Sequence, residues 1–162
     1  MVILILILLG TQDKPFTRLL ETVDKAIKKG DIKEEVIAQI GFTKYSSENI
    51  KTFDLIPKDE YEKIISEADL IITHAGVGSI LTGLKKNKKV IAAARLKEYG
   101  EHTNNHQLEI LNEFYNKGYI LKLDNFNELP KILKKVKTFK PQKYTSNNAK
   151  FIKMLENYID NI

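Results

Sequence analysis

The segment Asp69-Leu-Ile-Ile-Thr-His-Ala-Gly-Val-Gly-Ser79 places an apolar run, a histidine and a glycine pair in direct succession. Such a run, breaking at glycines and then entering a helix, is suited to anions. Glycine lets the backbone approach a phosphate closely, and the first helical turn offers unpaired N–H groups with a partial positive charge. Gly76, Val77, Gly78 and Ser79 are therefore candidates for holding a diphosphate, Ser79 through its hydroxyl as well. The spacing is not that of a dinucleotide fingerprint, because Leu81 stands where the third glycine belongs. A tight strand-to-helix turn with no ligand is the plain alternative. His74 ends the apolar run. It either donates to a bound phosphate or is held by a backbone carbonyl as a structural histidine.

A second polar concentration is Glu98-Tyr-Gly-Glu-His-Thr-Asn-Asn-His-Gln107. Sugars present neutral hydroxyls that both donate and accept, and Asn, Gln and His supply both functions. His102, Asn105, His106 and Gln107 are the candidates here; the alternative is a helix cap with solvated neighbours. His102 and His106 lie four apart, but no carboxylate stands at a matching offset, so no metal site is expected. Gly10-Thr11, small residues after the first apolar run, leave room for a ligand. There is no Ser–His–Asp set and no lysine-bearing phosphate loop.

These residues need elements to position them. The apolar runs Val2–Leu9, Val36–Ile40, Lys51–Leu55, Asp69–Thr73, Val90–Ala94 and Tyr119–Leu123 read as strands. Between them come helical patterns: Phe16, Leu19, Leu20, Val23 and Ile27 before Gly30; Tyr61, Ile64, Ile65 and Ala68 after Pro57; a helix from the glycine turn to about Lys86; and Leu108, Leu111 and Tyr115, capped by Asn104 or Asn105 and stopped by Gly118. Asn125 caps a helix that Pro130 enters early. A last amphipathic helix is expected from Thr145 or Ser146 to Ile162, with Phe151, Met154, Leu155, Tyr158 and Ile162 on its stripe. Strands alternating with helices, the strands apolar without alternation, specify an α/β fold: a parallel sheet with helices on both faces and strand one near the middle. Ligands of such sheets bind beyond the carboxyl ends of the strands, where His74 is expected.

Composition narrows the classes. The 162 residues are 43% hydrophobic and 29% charged, which suits a single globular domain over the whole chain, 1–162. With no cysteine there are no disulfides, thiolate metal sites or cysteine nucleophile, and a cytoplasmic setting is the natural reading. Met1–Leu9 lacks a basic leader and a cleavage site and is too short to span a bilayer, so a buried strand is expected there. The formal charge is +5, and all but two of the 26 basic residues are lysine, the exceptions being Arg18 and Arg95. Lysines crowd Lys122 to Lys153, where the only acids are Asp124 and Glu128. That stretch is either a solvated face or attracted to an anionic membrane or acidic partner. Nucleic acid is not expected, since no reader motif appears.

Four segments taken together resemble the C-terminal domain of family 28 glycosyltransferases. They are Gly10-Thr11 with Pro15-Phe16-x-Arg18-Leu-Leu-x-x-Val-Asp24, Ala38-Gln39-Ile40-Gly41, His74-Ala-Gly-Val-Gly-Ser79, and Tyr99-Gly-Glu-His-Thr-Asn-Asn-His-Gln107. The likeness covers about Val2 to Leu123 and is nearest to single-domain bacterial subunits of capsule and exopolysaccharide assembly. It also extends to the small soluble subunit of the eukaryotic dolichol-linked N-acetylglucosaminyltransferase. The resemblance implies one Rossmann-like half of a two-domain GT-B arrangement and inverting, metal-independent transfer from a UDP-sugar. The sugar nucleotide would be substrate, with no cofactor. It implies that uracil meets the backbone near Leu55-Ile56, the diphosphate Gly76–Ser79, and the sugar Asn105–Gln107. N-acetylglucosamine-using relatives typically carry Glu where Thr82 stands, which favours galactose or another hexose as the transferred sugar; UDP-N-acetylglucosamine is the alternative. His74 and Glu101 are the local candidates for the general base, neither with an evident orienting partner. A membrane-associated partner subunit carrying the acceptor-side domain, a lipid-linked acceptor, and residence at the cytoplasmic side of the membrane through that partner are expected. Two rival readings are a nucleotide-dependent oxidoreductase and a non-catalytic sugar-nucleotide-binding regulator.

Overall fold

The computed structural model describes residues 4–145 and 153–157. Six parallel strands form one sheet: β1 (Leu4–Leu8), β2 (Glu35–Gln39), β3 (Lys51–Phe53), β4 (Leu70–His74), β5 (Lys89–Ala93) and β6 (Leu121–Lys122). Their spatial order is β3-β2-β1-β4-β5-β6, with β1 interior. The register pairs Ile7 with Ala38 on one side and with Ile72 on the other. β4 is buried at every residue, as its unbroken apolar run requires of a strand covered on both faces.

Side chains alternate across the sheet and so feed two cores. Ile5, Ile7 and Leu9 meet α1 (Thr17–Lys28) and α5 (Leu129–Val136). Leu6 and Leu8 face the other way, toward α2 (Lys58–Glu67), α3 (Val77–Lys85) and α4 (His106–Asn116). The result is a Rossmann-like doubly wound sheet. α1 buries Leu19, Leu20, Val23 and Ala26, a helical stripe, and the chain leaves it through Gly30 at φ +84. Among the described residues, no helix is long and apolar enough to cross a membrane.

Several boundaries differ from the sequence reading. β3 ends at Phe53 and β6 spans only Leu121–Lys122, because both are edge strands with a single neighbour to extend them. α4 buries Gln107, Ile110, Leu111 and Phe114, whereas Tyr115 is 41% exposed under the Lys122 ammonium. The inward stripe runs i, i+3, i+4, i+7 from Gln107, a polar residue that the apolar pattern could not include. The expected C-terminal helix is seen only at 153–157, where Leu155 and Met154 pack on the second core; Ser146, Phe151, Tyr158, Ile162 and the first three residues lie outside the described residues.

Candidate functional site

After β1 the chain builds outward through β2 and β3, then returns to place β4 on the other flank of β1. The loops leaving β1 and β4 therefore part, and a crevice opens between their carboxyl ends. It forms a cleft of about 560 Å³. Of the residues expected to bind a ligand, Gly10, Thr11, Leu55, Ile56, His74, Gly76, Gly78 and Ser79 line it. Gln12, Gln39, Phe53, Asp54, Lys58, Tyr61 and Thr82 line it as well. Of these, Gln39 carried a legible signal: a buried amide at the end of an apolar strand. Its carboxamide accepts from the Gly10 N–H and donates to the Gly10 carbonyl, both at 3.1 Å, and so shapes the first loop.

His74 forms the floor of the cleft. It is 6% exposed, and its imidazole is wedged between two glycines. A Cβ on Gly10 would come within 2.4 Å of His74 Nε2, and one on Gly76 within 2.2 Å of Cε1. Gly10 also sits at φ +73, a left-handed conformation that side chains resist. These two glycines thus make room for a histidine. Gly78 is different: a Cβ there would meet nothing within 4 Å, so its backbone faces the open cleft at the first turn of α3. Ser79 Oγ lies 3.1 Å from His74 Nε2. Burial, with the neighbouring charges of Arg95 and His102, pushes the imidazole down to about 3, so the ring is neutral at physiological pH. Thr82 donates to the Gly78 carbonyl at 2.8 Å and spends its only proton inside the helix.

The polar loop after β5 lies behind this floor. Gln107, Asn105, His102 and His106 do not line the cleft. Gln107 is 3% exposed, with its amide nitrogen 3.1 Å from His74 Nδ1 and its oxygen accepting from the Arg95 N–H at 3.0 Å. Asn105 accepts from the Lys97 N–H, and Asn104 accepts from the His106 N–H to start α4. His102 is buried, its Nδ1 accepting from the Asn104 N–H; burial pushes its basicity down, as do the neighbouring charges of Arg95 and His106. His106 sits 3.5 Å from Glu109 at the surface. Val77 opens α3 without lining the cleft.

Glu101 is 3% exposed and outside the cleft. It holds Arg18 through two contacts, at 2.8 and 2.9 Å, and accepts from the Leu96 N–H. A carboxylate so engaged has little lone-pair capacity left to take a proton from a substrate. Arg95 is buried to 1% exposure. Its guanidinium donates to the carbonyls of Leu9, Lys14 and Glu101, tying the β1 loop to the β5 loop, while its Nε has no partner among the described residues. Burial draws its basicity down to about 10, so it remains a cation. No group of three or more metal-ligating side chains occurs among the described residues.

Known proteins share this architecture. A solution structure of ALG13 superposes with a TM-score of 0.63 at 22% identity, covering 95% of each chain. The calicheamicin glycosyltransferase CalG4 superposes with a TM-score of 0.59 at 14% identity, covering 99% of this chain but 39% of that one. These superpositions establish the fold, and the second matches the chain to one Rossmann-like half of a GT-B architecture. In sequence, the human UDP-N-acetylglucosamine transferase subunit ALG13 is 38% identical over 63 residues, which are 39% of this chain and 5% of the human protein. The chain thus matches only a small part of that relative's length. Residues 4–162 match the glycosyltransferase family 28 C-terminal domain, and the chain belongs to that family.

Proposed function

We propose that this chain binds UDP-N-acetylglucosamine in the β1–β4 cleft and forms the donor half of an inverting, metal-independent glycosyltransferase. The observation that carries the reading is the cleft itself. It lies at the switch point, is floored by neutral His74, and is open to the backbone at Gly78. The diphosphate is assigned to Gly76–Ser79, where helix N–H groups and the Ser79 hydroxyl replace a cation. The uracil is assigned to the backbone of Leu55-Ile56, which lines the cleft beside the exposed Leu55 side chain. Glycosyltransferase activity is proposed from family membership and from the relatives' names.

The donor sugar follows the relatives, whose name specifies N-acetylglucosamine. The expectation of galactose rested on Thr82, whose hydroxyl proton is spent on Gly78. The matching relatives are named for neither a galactose donor nor capsule assembly, so both are left aside. The relatives are subunits by name, and the same organisation is proposed here. A membrane-associated partner would supply the acceptor-side domain, the lipid-linked acceptor and the general base, with this chain at the cytoplasmic side of the membrane. His74 is neutral with Nδ1 and Nε2 both engaged, and Glu101 is paired with Arg18.

Thermal unfolding with a panel of UDP-sugars tests the donor. At one hundred times the dissociation constant, stabilisation should be about 2.7 kcal/mol for the true donor. No shift with any uridine nucleotide refutes the reading. Transfer to a lipid-linked acceptor, with and without membranes carrying the partner, tests the division of labour. Robust turnover by this chain alone would place the base here after all. Binding without any dependence of turnover on this chain would make it a regulator.

A further inference from the structure

Gln107 stands between a donor whose direction is fixed and a ring whose direction is not. The Arg95 N–H belongs to the backbone and can only donate, so the Gln107 oxygen must face it, at 3.0 Å. The Gln107 amide nitrogen is then the atom 3.1 Å from His74 Nδ1. An amide N–H can only donate as well, so Nδ1 is the accepting, unprotonated nitrogen of a neutral imidazole. The single ring proton is left on Nε2, 3.1 Å from Ser79 Oγ. Ser79 Oγ accepts that proton. Among the described residues its side chain has no other hydrogen-bond partner, so its own proton is available to the cleft it lines.

We propose that Gln107, oriented by the backbone of Arg95, is a positioning residue that locks His74 in its Nε2-protonated form and thereby turns the Ser79 hydroxyl outward as a donor to an anionic ligand. The inference rests on the diphosphate being bound at Gly76–Ser79. It gives Gln107 a role other than touching the donor's sugar, which accords with its burial behind the cleft floor. It also separates His74 from base catalysis, because the nitrogen nearest the cleft already carries its proton and the other is occupied. Every polarity along the line Arg95 N–H, Gln107, His74, Ser79 runs toward the cleft, so an anion is met by aligned dipoles without a net charge. The charged and titratable groups bearing on His74 are Arg95 from the end of β5 and His102 from the polar loop. Both disfavour a second proton on the ring.

Nitrogen-15 NMR of the three histidine side chains reads the tautomer without any ligand. His74 should show a protonated Nε2 and a bare Nδ1 at neutral pH, unchanged down to about pH 5, well below the ordinary histidine range. A proton on Nδ1 in the wild-type chain overturns the proposal. Gln107→Glu keeps an acceptor for Arg95 but offers Nδ1 a second acceptor in place of a donor, so Nδ1 should gain a proton and His74 should titrate nearer neutrality. UDP-N-acetylglucosamine, whose diphosphate has no further ionisation in this range, should then bind roughly fivefold to tenfold more weakly as pH rises, whereas wild-type affinity stays flat. A pH-flat Gln107→Glu affinity equal to wild type counts against the relay. Ser79→Ala serves if Gln107→Glu fails to fold. His74 should keep its Nε2 proton while affinity falls roughly fivefold, and a ring that switches to Nδ1 would show that Ser79, not Gln107, sets the tautomer. The expected tautomer with no nucleotide binding refutes the nucleotide site and with it the role of Ser79. The wrong tautomer with binding intact refutes the relay alone.

Discussion

Arg18 of α1 and Glu101 of the polar loop, 83 positions apart, meet in a two-point ion pair of 2.8 and 2.9 Å. The Arg18 guanidinium also lies 4.3 Å from the Tyr99 ring centroid and 3.9 Å from that of Phe126. This clamp holds the loop after β5 against α1. The Glu101 side chain is 4% exposed and that of Arg18 26%. Removing one partner strands a buried charge, so Arg18→Ala should cost about 3 kcal/mol, at the low end for a buried pair because Arg18 is partly wet. Urea midpoints measure it. Glu101→Gln should lose stability in the same way while leaving most nucleotide affinity intact. A stable Glu101→Gln chain that binds donor normally but abolishes turnover would return Glu101 to the chemistry.

The glycines of the cleft should separate into two kinds. Gly10→Ala and Gly76→Ala drive a methyl into the His74 ring and should each destabilise by about 1–3 kcal/mol, Gly10→Ala the more because of its left-handed backbone. Gly78→Ala meets open space within a helix and should gain up to about 1 kcal/mol. Its methyl nevertheless enters the cleft and should weaken UDP binding. Calorimetry of unfolding and of binding on the same three variants checks both signs. Unimpaired UDP binding by Gly78→Ala and by the bulkier Gly78→Val would move the diphosphate elsewhere.

His74 should make the fold acid-sensitive in a defined window. Its folded value is depressed to about 3, so between that and the ordinary value near 6.5 the unfolded chain binds the extra proton. Stability therefore rises with pH across that window, and acidification from 6.5 downward removes it, by at most about 1.4 kcal/mol per pH unit. Replacing the ring by an amide, His74→Asn, should flatten that part of the stability profile. An unchanged profile in the variant would mean that His74 is protonated in the fold.

Asp24 should act at lower pH. It is buried, which raises its proton affinity, but hydrogen bonds from Tyr45, Asn49 and Ser47 outweigh this and hold it below the ordinary carboxylate value. Tyr45 donates at 2.7 Å and Asn49 at 2.8 Å, fastening the loop before β3 onto α1. A depressed carboxylate contributes stability above its unfolded value of about 3.8, lost as pH falls through the folded one. Asp24→Ala should cost about 2 kcal/mol at neutral pH, and the difference from wild type should shrink below about pH 4. A cost that does not vary with pH would mean that packing, rather than the carboxylate, holds the loop.

Most of the architecture is local and was legible in the residues. Unbroken apolar runs such as Leu70–Thr73 specify strands covered on both faces, and the stripe Leu19, Leu20, Val23 specifies a helix on one of them. The glycine turn before Ser79 and its position at a strand's carboxyl end followed from spacing alone. What periodicity cannot express is which distant polar groups will share a buried space. Gln107 and His74 are 33 positions apart, and Glu101 and Arg18 are 83 apart. In sequence each of these side chains looks free to serve a ligand. Only when β4 and β5 are laid side by side, and α4 turns Gln107 inward, does burial force these groups to satisfy one another, since an unpaired polar group away from water is costly. The sequence by itself determined the sheet, the cleft's place at the strands' carboxyl ends and the glycine turn that borders it. The tertiary structure decided that Gly10 and Gly76 accommodate a histidine, that His74 is neutral, and that Glu101 is a clamp, because hydrogen-bond partners are assigned by proximity in space and not along the chain.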